Sequence, residues 1–292
     1  VAKPVQGDRR KYGISVMMCM NAGGWMDWFL LVVLAVGLSL AMAASWVVQR
    51  MTGRSGWIDT IWSFAVGIGG VTAAVFANGA FGRRMTILVI VAAWALRLGS
   101  HIGKRTKGAD EEDPRYAKLM EAWGDSAGWR LFLFLQVQAL AAFILVLAIY
   151  LAAANDEAFP GGQDFLAMFI ALAALAGETI SDEQLSRFRK EPQAKTEVCE
   201  VGFWRYSRHP NYFFEWLFWC CWPAFAVSTS LSSLLSLLAP ALMYWLLVHV
   251  SGIPPLEEHM LHSRGDKFRA LQRRVNAFFP GPRKTQSRLS GE

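Results

Sequence analysis

Seven stretches of this chain are long and apolar enough to cross a bilayer, and nothing else in it limits the possible folds as much. They run from Asp27 to Val48, Trp57 to Phe76, Met85 to Ile102, Trp129 to Ala153, Phe165 to Ile180, Tyr212 to Val227 and Leu231 to Val250. No water reaches the backbone in hydrocarbon, so each run must be a helix or a strand of a closed barrel. The runs are continuous rather than alternating and too long for barrel strands. The expectation is therefore an all-α, polytopic integral membrane protein with seven transmembrane helices. Composition agrees, since 54% of the 292 residues are hydrophobic and 18% are charged. Disordered, collagenous and ordinary soluble chains fit this balance poorly.

The helical domain is expected over residues 27–282, with an extension at 1–26 and a disordered tail at 283–292. The first 25 residues are polar and mixed, so no cleavable signal peptide is expected. The spacing of Met260, Leu261, Phe268, Leu271 and Val275 predicts an amphipathic helix within 258–279 that lies against the membrane face. Cys19, Cys199, Cys220 and Cys221 form no CxxC or Cys/His ligand spacing, so neither a metal site nor a disulfide framework is expected. The net charge of +6 is read as basic loops rather than nucleic-acid binding. Of the 29 Lys and Arg residues, 22 fall in the loops after runs one, three and five and in the tail. That excess places the tail in the cytoplasm and the N-terminus outside.

Ionisable residues inside spans are costly, so each is a functional candidate. Asp59, Arg97, His101, Glu178, Asp182, Glu183, Asn211, Tyr212, Glu215 and His249 all fall in the cytoplasmic halves of their runs. The pattern predicts one polar cavity open to the cytosol and closed to the outside. Arg97/His101, Glu178/Asp182 and Asn211/Glu215 are each four residues apart, so each pair shares a helix face. Arg189 continues the second stripe if that helix persists.

The segment from Arg187 to Tyr212 interleaves Arg187, Arg189, Lys190, Lys195, Arg205, Arg208 and His209 with Phe203, Trp204, Tyr206 and Tyr212. Arginine suits bidentate phosphate recognition and stacks on aromatic faces. In order, Gly202-Phe203-Trp204-Arg205-Tyr206-Ser207-Arg208-His209-Pro210-Asn211-Tyr212 runs on to Glu215. This resembles the C-terminal signature of the steroid 5-alpha-reductase superfamily, a Gly-aromatic-aromatic segment ending in Asn-aromatic-x-x-Glu or Asp. Ser181-Asp182 followed by Arg187, Arg189 and Lys190, and the tail Pro255-Leu256-Glu257-Glu258 with Gly265, Phe268 and Phe278-Phe279-Pro280, extend the likeness. It covers about a third of the chain, residues 181–280, and is strongest to a bacterial branch, which implies a bacterial inner membrane. The first three runs match only in pattern.

The resemblance implies an NADPH site on the cytosolic side, in a cofactor-binding half at about 178–280. Asp182, Arg189, Tyr206, Asn211 and Glu215 are the implied contacts, with Arg97, Arg187, Lys190, Trp204, Arg208, His209, Tyr212 and Glu258 completing the set. No Rossmann fingerprint is present: Gly67, Gly69 and Gly70 lie mid-span and are read as helix-packing glycines. The implied reaction is hydride transfer to the activated C=C of an enone in a steroid or other lipophilic substrate. The implied carbonyl clamp is a carboxylate in the second run, here Asp59, with a tyrosine in the third that Trp94 replaces. Tyr206 is a substitute acid, and an ordinary packing role for Trp94 is the alternative. Arg208-His209-Pro210-Asn211-Tyr212 with Glu257-Glu258 also resembles isoprenylcysteine carboxyl methyltransferases, which bind S-adenosylmethionine. A non-enzymatic lipid-binding or transport protein is a third reading, which leaves the basic aromatic segment without a task.

Overall fold

The computed structural model describes residues 27–108 and 112–284. The expected extension at 1–26 with Cys19, and the end of the expected tail, lie outside the described residues. Within them the chain forms α1 (Trp28–Thr52), α2 (Gly56–Phe76), α3 (Phe81–Lys107), α4 (Pro114–Trp123), α5 (Ala127–Ala153), α6 (Gly162–Arg189), α7 (Pro210–Trp219), α8 (Cys221–Ala226), α9 (Leu238–Trp245) and α10 (Ile253–Arg274). The architecture is all-helical, and six stretches among the described residues are long and apolar enough to span a bilayer. They are α1, α2, α3, Arg115–Ala153, α6 and Leu231–Arg274, the last apolar only as far as Val250, with the polar α10 beyond it. The chain is thus a multi-pass membrane protein.

The run expected from Tyr212 to Val227 departs from this pattern. It folds as the ten-residue α7 and the six-residue α8, which meet at Cys220. Pro223 explains the break: it has no N–H to offer the Trp219 carbonyl four residues back, and its ring crowds that carbonyl. Six rather than seven candidate spans result among the described residues.

Hydrogen bonds define the two ends of the bundle. At the first, Asp27 caps α1 by accepting from Leu30 N at 3.0 Å, and its own N–H donates to the Tyr150 hydroxyl at 2.8 Å. Asn155 there donates to the carbonyls of Phe225 and Val227. Arg83, fully buried, donates to both oxygens of Asp164 at 2.7 and 2.8 Å and to the carbonyls of Asn155, Glu157 and Ala158. At the other end α1 stops at Gly53, whose φ of +67° suits glycine, and Arg54 reaches the carbonyls of Thr106 and Lys107. Between the ends the helices pack closely on small residues. A Cβ on Gly67 would sit 2.2 Å from that of Ala95, and one on Gly70 would meet Val91 and Ile149. The mid-span glycines are therefore packing glycines, as their position predicts.

Candidate functional site between α3, α6 and α7

The polar stripes expected on three helices converge. From α3, Arg97 pairs with Glu178 and Asp182 of α6. From α7, Asn211 Nδ2 donates to Asp182 Oδ1 at 3.2 Å. One turn deeper, Glu215 accepts from Trp94 Nε1 at 3.0 Å and Trp219 Nε1 at 2.8 Å. Trp94 is fully buried and stacks on Phe218, with ring centroids 5.5 Å apart and planes 8° from parallel. Glu178 and Glu215 are buried, and Glu178 Oε2 has no hydrogen-bond partner.

A cavity of about 470 Å³ opens beside this cluster, lined by His101, Lys104, Arg105, Asp182, Arg189 and Lys190 among others. It exists because α3 and α6 continue past their apolar runs to Lys107 and Arg189. Their last turns carry cations, which suit helix C-termini. His101 Nε2 lies 3.9 Å from Asp182, so the carboxylate separates the basic cavity from the buried cluster.

The remaining expected residues fall elsewhere. Arg208 Nε donates to Glu257 Oε1 at 2.7 Å, and its Nη1 reaches the Gln272 and Val275 carbonyls. His209 Nε2 lies 3.0 Å from the same Glu257 oxygen, and Gln272 Nε2 donates to Glu257 Oε2 at 2.7 Å. Burial opposes ionisation of Glu257, but the hydrogen bonds from His209, Arg208 and Gln272 outweigh it and pull its carboxyl down to about 2. Burial lowers the pKa of His209, so the neutral ring donates through Nε2 and its buried Nδ1 is left bare. Tyr212 stacks on that ring at 5.6 Å. This group ties the α7 entry to α10. Trp204 Nε1 donates to the Ser181 carbonyl at 2.9 Å and holds the segment after α6 against that helix. Tyr206 is half exposed. Arg187 pairs with Glu183, and Glu258 with Lys118, both on the surface.

Asp59 belongs to another group. It accepts from Arg115 and from the Tyr116 hydroxyl at 3.1 Å; Arg115 also pairs with Asp113, and Gln138 donates to Tyr116 at 3.2 Å. Expected as the carboxylate of a carbonyl clamp, Asp59 is instead ion-paired with Arg115 of α4. It shares no polar partner with Trp94, whose N–H is committed to Glu215. Sequence reasoning missed Arg115, Tyr116, Lys104, Arg105 and the Arg83–Asp164 pair. The available signal for that pair was the Arg83–Arg84 doublet and Asp164, each just before a run that starts on the same side. Among the described residues no group of His, Cys, Asp and Glu is arranged to hold a metal ion.

Comparison with known proteins places this geometry in a family. The chain is 26% identical over 282 residues to the uncharacterized protein C594.04c of Schizosaccharomyces pombe, covering 84% of this chain and 79% of that one. No solved structure matches. The model of the family described as protein of unknown function (DUF1295) matches residues 45–275, which include every residue of the buried cluster and the basic cavity, and the chain belongs to that family.

Proposed function

We propose that this protein is a membrane oxidoreductase that binds NADPH between α3, α6 and α7 and reduces an activated C=C bond of a lipophilic substrate, a steroid or a molecule like one. The observation that carries this reading is the junction of a basic cavity with a buried polar cluster across Asp182. The residues fit the cofactor. Lys104, Arg105, Arg189 and Lys190 would hold its phosphates. Asn211, whose amide N–H already serves Asp182, has its carbonyl oxygen to accept from the nicotinamide carboxamide, and Glu178 Oε2 is a buried acceptor without a donor. When bound, the cofactor supplies the hydride. Arg97 holds Glu178 and Asp182 in place, and the two indoles fix Glu215. Trp94 is then a positioning residue for Glu215. The family includes steroid 5-alpha-reductase-like members, and the resemblance over 181–280 points the same way. In this reading the basic end faces the cytosol and the N-terminus lies outside.

Retention of labelled NADPH by the purified protein tests it. Asn211→Ala and Arg189→Ala each weaken retention roughly tenfold, the loss of about one hydrogen bond. Equal retention by wild type and both variants refutes the site. The methyltransferase reading has one observation of its own: Arg208, His209 and Glu257 meet at bonding distance. Native mass spectrometry of the extracted protein separates the two, since a co-purified dinucleotide and a co-purified S-adenosyl compound differ in mass.

A further inference from the structure

The candidate site carries opposite charge at its two ends. Its outer end is the cavity, with Lys104, Arg105, Arg189 and Lys190 in the wall. Its inner end is the buried cluster, where Arg97 pairs with Glu178 and Asp182 and also acts on Glu215. Among the described residues no other ion pair reaches Glu178 or Glu215. One guanidinium against three carboxylates leaves a surplus of negative charge. The surplus survives even if Glu178 and Glu215 share a proton, as neighbouring buried carboxyls do. The other groups at this end do not cancel it. Trp94 and Trp219 donate hydrogen bonds to Glu215 and bring no charge. Asn211 is bonded to Asp182, and His101 lies 3.9 Å from Asp182 on the cavity side.

The field of this surplus reaches the cavity. Asp182 is in the cavity wall, and the Asp182 and Arg97 side chains keep 12% and 17% of their surface exposed, against 5% for Glu178. Glu178 lies one turn below Asp182 on α6, about 6 Å along the axis. A ligand ring that stops at Asp182 and Asn211 touches neither glutamate and still feels both, because buried charges are weakly screened. At an effective dielectric constant of about 20, a unit charge roughly 8 Å away favours its opposite by well over tenfold; water in the open cavity brings this down to about tenfold. The proposed reaction changes the charge at this place. Transfer of a hydride with its electron pair leaves the nicotinamide ring, neutral in NADPH, with one positive charge. The substrate takes the hydride on one carbon of its C=C and a proton from water on the other. Both cofactor forms carry the same phosphates, so the outer cations do not tell them apart.

We propose that Glu178 and Glu215 select the charge state of the cofactor, so that NADP+ is held about tenfold more tightly than NADPH, a preference of about 1.4 kcal/mol, and inhibits the protein as its own product. This rests on the reductase reading. Isothermal titration of the purified full chain with NADP+ and with NADPH, at neutral pH, measures the ratio of the two dissociation constants without any turnover. In wild type NADP+ is expected to bind about tenfold more tightly. Glu178→Gln and Glu215→Gln each remove a carboxylate and bring the two constants to within about threefold, whatever they do to affinity as a whole. Lys104→Ala, at the outer end, weakens both forms alike and leaves the ratio where it was. Equal binding of the two forms by wild type overturns the proposal, and that measurement needs no variant to fold. A ratio unmoved in glutamine variants that melt like wild type, or one abolished by Lys104→Ala, overturns it as well. The two failures are told apart by the wild-type titrations: binding of neither form removes the reductase reading and the proposal with it, whereas binding of both with equal affinity removes the proposal alone.

Discussion

Replacing Arg83 with leucine should destabilise this protein more than most single changes. The side chain is fully buried, and its guanidinium makes five hydrogen bonds: two to Asp164 and three to the backbone carbonyls of Asn155, Glu157 and Ala158. Without it Asp164, also fully buried, retains the Gly161 N–H at 2.8 Å and no counter-charge. Removing one partner of a buried pair costs about 3–5 kcal/mol, because the other charge is left uncompensated. At about 2–4 °C per kcal/mol, the melting temperature of the variant in detergent falls by roughly 10 °C. Arg83→Leu combined with Asp164→Leu removes both charges and should melt closer to wild type than the single variant, since well-packed apolar replacements of buried pairs are often tolerated. A single variant melting within about 2 °C of wild type, or a double variant worse than the single, refutes the view that an uncompensated charge sets the cost.

Other outcomes follow from particular contacts. His209 and Glu257 both titrate below their usual values of 6.5 and 4.5. The unfolded chain therefore takes up protons before the folded one, and stability falls as pH drops, first below 6.5 and then from 4.5 toward 2. Glu257→Gln should remove the lower step and cost about 1.5 kcal/mol at pH 7 once solvent screening of a partly exposed carboxylate is counted; denaturant titration at pH 7 and 3.5 reads both. Gly67→Ala forces a methyl group against Ala95 and should cost about 1–3 kcal/mol, whereas Gly37→Ala, with nothing within 4 Å, should be neutral or slightly stabilising in the same melts. Asp59→Asn breaks the pair with Arg115 outside the polar cluster and, under the reductase reading, should leave NADPH retention unchanged; lost retention by a variant that melts like wild type would tie the Asp59 group to the cofactor.

Much of the fold is legible in the sequence because long apolar runs leave the backbone few choices in a membrane. The convergence of Arg97, Glu178, Asp182, Asn211 and Glu215 is legible for a related reason. Spacing of four fixes the face, and the turn at which each polar residue enters its run fixes the depth. Two kinds of feature escaped. The first is local: Pro223 lies in an otherwise apolar run and divides it. Similarly, the apolar signal at Ile102 and Ile180 stops before the helices do, which hid Lys104 and Arg105. The second is long-range. Asp59 meets Arg115 because α4 folds back on α2, and Arg208 meets Glu257 because the chain returns after α9. No spacing rule connects residues about 50 positions apart.

The interrupted segment formed by α7 and α8 has one more implication. At about 1.5 Å per residue its 17 residues reach about 25 Å, short of the hydrocarbon thickness of about 30 Å. Its Phe218, Trp219, Cys221, Trp222 and Phe225 are fully buried among neighbouring helices, so the shortfall is met by protein rather than by lipid. The element that carries Asn211 and Glu215 therefore has no need to match the surrounding membrane. Thick and thin bilayers strain the outer helices first, while the polar cluster rides inside them, insulated from the surrounding lipid.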